Sequence, residues 1–167
     1  MSISAADDLD SYPERLLING RGLDAHFETT EVLYIRFLSV DSTTGRPSEA
    51  DFRAPDLSVN RGKYSEPQDV LWGKWDFLSD WGYGSMTVSQ VPGSLCDGAG
   101  LTTDFRVEHD PIAGTAEQRE NYSHSEIRAY KHGERSKKLP GTVKLKFRRR
   151  IAEAIAVLKQ PSLRDGE

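Results

Sequence analysis

The stretch EVLYIRFLSV, Glu31 to Val40, decides the fold class of this chain. Its β-branched and aromatic residues fit a pleated strand, and Asp41-Ser42-Thr43-Thr44-Gly45 closes it with turn chemistry. Alternation sends Leu33, Ile35 and Phe37 to one side and Val32, Tyr34, Arg36 and Leu38 to the other. An arginine in so apolar a strand must be paired or face a cavity, because burying it alone costs several kcal/mol. Working outward, Leu57 to Asn60 (LSVN) reads as a brief strand, and Glu66 to Leu71 as a short helix with Pro67 in its first turn. Tyr83 to Val91, Thr103 to His109 and Tyr122 to Tyr130 follow as strand candidates, with Gly93 to Gly100 a loop between the first two. Val143 to Leu158 carries Phe147, Ile151, Ile155 and Leu158 on one helical stripe, with Thr142 the expected N-cap and Pro161 beyond the end. Strands without regular βαβ alternation predict an α+β fold: a mainly antiparallel sheet of about five strands with a C-terminal amphipathic helix.

Length and charge bound the rest. The chain has 167 residues, 37% apolar and 29% charged, which suits one packed domain over 29–160 with a lead-in at 1–28 and a tail at 161–167. A single cysteine, Cys96, excludes an intrachain disulfide framework and a paired-cysteine zinc site. No apolar run is long enough to span a bilayer, and Met1 to Asp10 is acidic rather than signal-like, so the expectation is a cytoplasmic protein. Charge is segregated: residues 128–167 hold twelve Lys/Arg against four Asp/Glu, leaving ten basic and twenty-two acidic residues in 1–127. The helix residues Lys144, Lys146, Arg148, Arg149 and Arg150 therefore form a basic face. It suits RNA or a protein partner, or it simply complements the acidic body.

Phosphate-loop, dinucleotide-fingerprint, zinc-protease and nucleophile-elbow motifs are all missing. The segment NYSHSEIRAY, Asn121 to Tyr130, carries the chemistry instead. As a strand it aligns Tyr122, His124, Glu126, Arg128 and Tyr130, with the smaller Ser123, Ser125, Ile127 and Ala129 opposite. His124 as general acid and Glu126 as general base would stand about 7 Å apart along the strand, with Arg128 clamping a phosphate or carboxylate. Arg36, Asn60 and Arg61 are further substrate-binding candidates, as are Tyr122 and Tyr130. The competing reading of the same face is a solvated sheet edge. His124, Glu126, His109 and Asp110 are also of the types that hold zinc or manganese, but their spacing is not diagnostic, so no metal site is assigned and the cofactor is left open. Trp72, Trp75, Trp81 and Tyr83 read as core or as a lid on it, ahead of a base-stacking platform.

LYIRF at 33–37, SEADFR at 48–53, LSVNR at 57–61, HDP at 109–111 and YSHSEI at 122–127 form an order that resembles small uncharacterised bacterial proteins. That likeness spans residues 31 to 130 and implies bacterial origin without an activity. A more distant similarity is to ADP-ribosyltransferase-like folds, whose first strand bears Arg or His, a second Ser or Tyr, and a later one Glu. Arg36, Ser58 and Glu126 stand in that order, and the similarity implies an NAD-using transferase. The Ser-Thr-Ser run and the glutamate pair spaced by one residue are missing. The leading expectation is an acid/base enzyme acting on a phosphate-containing ligand such as RNA. A non-catalytic protein–protein interaction module and the NAD-using transferase are the alternatives.

Overall fold

A computed structural model describes residues 12–162. Residues 1–11 of the lead-in and 163–167 of the tail lie outside them. Eight strands form one sheet: β1 (Val32–Phe37), β2 (Leu57–Arg61), β3 (Gly82–Thr87), β4 (Ser94–Cys96), β5 (Thr102–His109), β6 (His124–Lys131), β7 (Glu134–Arg135) and β8 (Ala156–Lys159). The order is β4-β5-β6-β2-β1-β3-β8, with β7 hairpinned onto β6 and every pairing antiparallel. The α+β class and the antiparallel sheet stand, with eight strands rather than about five. The additional ones are short. β4 falls in the Gly-rich stretch expected to be loop, β7 is a two-residue return, and β8 lies where helix was expected.

One helix, α1 (Gly141–Ala154), covers one face of the sheet. Val143, Phe147 and Ile151 recur every four residues and are fully buried, so a single stripe meets Leu33, Ile35 and Phe37 of β1, Val59 of β2 and Ile127 and Ala129 of β6. Phe147 stacks on Phe105 of β5 with ring centroids 4.6 Å apart. Thr142 lies inside the first turn and is not the cap; Pro140 holds that position. The helix ends at Ile155 rather than Leu158, because Ala156 to Lys159 turn extended and bond β3. Leu158 is consequently half exposed. A Cβ on Gly84 would lie 2.4 Å from the Ile155 side chain, so β3 admits this close crossing only because that residue is glycine.

The second face of the sheet is roofed by chain rather than by a helix. Pro67–Leu71 forms a short 3₁₀ turn against β1, β2 and β3, capped by the mutual bonds of Glu66 and Asp69. The described part of the lead-in packs beside it. Leu16 is fully buried, its carbonyl accepts the Tyr122 N–H, and Arg15 grips the buried Asp69 carboxylate at 2.6 Å. Residues 12–28 are thus part of the domain.

Candidate functional site

Between this roof and the sheet lies a cavity of about 330 Å³, at the small end for a ligand site. Side chains that alternate with the core residues line its floor: Arg36 on β1, Ser58 and Asn60 on β2, and His124 at the start of β6. Register sets them side by side, since Asn60 pairs with both Tyr34 and His124, and Ser58 pairs with Glu126. Arg53, Arg119, Lys74, Gln118, Asn121, Tyr12 and Trp72 complete the walls. Three guanidiniums and an ammonium line the cavity, and among the described residues no carboxylate does, in a chain whose net charge is −4.

Among the described residues none of the three arginines has a carboxylate partner. Arg36 donates through Nη1 to the carbonyls of Val70 and Trp72, at 3.0 and 3.2 Å, and burial pulls its pKa below the usual arginine range. Arg119 lies over the rings of Tyr12 and Trp72, each 4.9 Å away, and its buried Nε has no partner. Burial pushes the Tyr12 hydroxyl up to about 12, so it remains a neutral donor. Asn60 is almost wholly buried, yet its Nδ2 is also unpartnered. Its orientation follows from the bonding around it. Asn121 Oδ1 accepts from the Ser123 N–H and hydroxyl, which leaves Asn121 Nδ2 to donate to Asn60 Oδ1 at 3.0 Å. The Asn60 NH₂ group is therefore the end left without a partner among the described residues. Buried donors left unmet are uncommon in folded proteins, and two of them belong to residues that line this cavity.

His124 is 8% exposed. Its Nδ1 is 2.7 Å from the Asp110 carbonyl oxygen, which can only accept, so Nδ1 carries a proton and, in the neutral ring, Nε2 presents a lone pair. Nε2 lies 3.2 Å from Ser58 Oγ, and the Ser58 side chain is exposed to the cavity.

The rest of the expected β6 face does not open on this space. β6 is an interior strand between β5 and β2, so the solvated-edge reading does not hold. Arg128 donates to Glu108 at 2.8 Å, Asp110 at 2.8 Å and Glu126 at 2.9 Å. It separates Glu108 from Glu126, which face each other across β5 and β6 and would otherwise repel. Burial alone would raise the Glu108 carboxyl, but hydrogen bonds from Tyr130 and Arg128 outweigh it and hold the group below its ordinary value. Arg128 is thus a counter-ion already spent, and Tyr130 belongs to the same network. Asp110, His124 and Glu126 do place ligand-type atoms within 4.8 Å of one another, but Arg128 holds both carboxylates. As arranged, the cluster is an ion-pair network.

Two other expected binders are structural. Arg61 is fully buried, with Nε and Nη2 on Glu31 and both terminal nitrogens on the carbonyls of Asp24 and His26. Tyr122 precedes β6 in a turn, and its hydroxyl donates to the Gly22 carbonyl. His109 stands apart as well. It accepts from the Asp24 N–H through Nδ1 and donates through Nε2 to the Tyr122 carbonyl, and burial lowers its pKa.

The basic helix face packs on the other side of the sheet from His124. Lys146 donates to the Cys96 carbonyl, Arg148 to the Phe52 carbonyl, and Arg149 bridges to Glu49. Lys144 and Arg148 nevertheless border a shallow cleft with Arg53, and Arg53 also lines the cavity. The tryptophan segment is only partly core: Trp72 is a cavity wall and Trp75 is 45% exposed.

Of the residues lining this cavity, the sequence reading singled out Arg36, Asn60 and His124, and Ser58 only through the ADP-ribosyltransferase likeness; it did not single out Arg53, Arg119 and Tyr12, which stand in irregular segments where alternation has no meaning. Fold and site define an antiparallel α+β protein with a cation-lined pocket. Compared with protein-family models, curated proteins and solved structures, the chain matches none.

Proposed function

We propose that the pocket binds a phosphate-bearing ligand of nucleotide size and that His124 moves a proton on it. The observation that carries this reading is the convergence of Arg36, Arg53 and Arg119, without carboxylate partners among the described residues, on a cavity whose floor holds an unmet amide donor. Guanidiniums bond phosphate oxygens in pairs, and each charge-assisted bond is worth roughly 1.5–3 kcal/mol. Trp72 and the exposed Trp75 supply apolar faces beside Arg119 for a base. Within this reading His124 keeps its place as the proton-transfer group. Glu126 and Arg128 do not join it, because they satisfy one another. RNA fits as the polymeric form of the ligand, since Arg53 links the pocket to Lys144 and Arg148 along one basic rim.

Calorimetric titration with UMP, inorganic phosphate and uridine tests the reading. UMP and phosphate are expected to bind, more weakly as salt rises, and uridine at least tenfold more weakly than UMP. Equal affinity for uridine and UMP, or no binding of UMP, overturns it.

A further inference from the structure

The pair formed by Ser58 and His124 has a second property. We infer that Ser58 is a nucleophile that takes the phosphoryl group of the ligand onto its own oxygen, a step that rests on the phosphate reading above. Three structural features carry it. The Asp110 carbonyl fixes the tautomer of the neutral His124 ring, so Nε2 is the acceptor toward Ser58 Oγ at 3.2 Å, at the outer limit of the usual reach of a nucleophile–base pair. The Ser58 side chain is exposed to the cavity while its neighbours Leu57, Val59 and Asn60 are buried, so the hydroxyl points where a ligand would lie. Asn60, two residues along the same strand face, lines the same cavity with Arg36, and its buried Nδ2 is an unspent donor among the described residues. These are the donors a five-coordinate phosphorus requires as negative charge builds on its equatorial oxygens.

Ser58 Oγ forms a bond to phosphorus as its proton passes to His124 Nε2. The ester P–O bond breaks with its electron pair on the leaving oxygen, which takes that proton from the imidazolium. Water then attacks the phosphoserine, giving a proton to Nε2. Ser58 Oγ leaves and recovers that proton, and phosphate or its monoester departs. Serine alcohol and neutral histidine are restored, and no oxidant, reductant or further reactant is consumed.

A fluorophosphonate probe reports on the nucleophile directly, because an activated serine displaces fluoride and keeps the phosphonyl group. Intact mass followed by peptide mapping is expected to place one adduct on Ser58 of the full-length protein. Labelling should vanish in Ser58→Ala and slow by about a hundredfold in His124→Asn, the scale of one general base. Circular dichroism identifies any variant that fails to fold, in which case the site of the adduct in the native chain decides alone. An adduct absent from Ser58, or formed as fast in a folded His124→Asn, overturns the inference. UMP calorimetry separates the two readings. UMP binding without labelling removes the nucleophile and leaves the pocket, whereas absent UMP binding removes both.

Discussion

Two clusters on one face of the sheet use the same residue types to opposite ends. Around Arg128, three carboxylates and Tyr130 surround one guanidinium, and nearly every donor meets an acceptor. Around Arg36, three guanidiniums share a cavity with a residue whose amide is unmet, and among the described residues no carboxylate lines it. His124 stands where they adjoin, its Nδ1 tied to the Asp110 backbone and its Nε2 facing the cavity. The difference teaches that residue type does not identify a site. Saturation separates the two: the charges around Arg128 cancel within the chain, and those around Arg36 have no carboxylate partner among the described residues.

The sharpest way to break this contrast is to remove one arginine from each cluster. Arg128→Met leaves Glu108 and Glu126 facing one another with only Arg135, 3.6 Å from Glu126, as a remaining cation, so a loss on the order of 3 kcal/mol is expected in urea unfolding. Arg36→Met, by contrast, removes a partly buried cation with no carboxylate partner among the described residues. Its stability should lie within about 1 kcal/mol of the native chain or above it, while UMP affinity falls at least tenfold by calorimetry. Equal stability losses in the two variants would erase the distinction.

Acid titration sharpens the same comparison at smaller amplitude. The Glu108 carboxyl is held below its ordinary 4.5 in the folded chain, so its stabilising contribution is complete above that value. It is lost as pH falls through the depressed folded value, because the unfolded chain takes the proton first. Glu108→Gln should flatten that part of the profile. His109 acts in a window below pH 6.5, where the unfolded imidazole charges and the folded one resists. Stability is therefore expected to fall with falling pH there, and His109→Asn to remove that slope in thermal melts across pH 5 to 7. The smallest effect belongs to the helix surface. Arg150→Ala should change stability by no more than about 0.5 kcal/mol and leave UMP affinity unchanged.

Legibility in the sequence followed the regularity of the backbone. β1, β2, β5 and β6 were readable because alternation with a period of two holds over each of them, and the same alternation put His124, Asn60 and Arg36 on non-core faces. Arg36 was expected to be paired or to face a cavity, and it lines one. The apolar stripe of α1 was readable as far as Ile151 but not its end. Leu158 continues the helical period, yet the edge of β3 offers unpaired backbone groups, and pairing with them outweighs one more helical turn. Arg128 and Arg61 were misread as ligand clamps because a sequence shows where a charge is, not how many opposite charges fold around it.

By itself, the sequence determined an α+β chain with an antiparallel sheet, a helix packed through one apolar stripe, and a strand on which histidine, glutamate and arginine alternate. These are local matters, fixed by side-chain period and turn chemistry within a few residues. The tertiary structure alone decided which of those polar groups cancel and which remain open. Arg53 and Arg119 are distant in sequence from Arg36 and reach its cavity only through loops, and the carboxylates that silence Arg128 come from β5, its end and β6. Coulombic pairing acts over a few ångströms in space, whatever the separation along the chain.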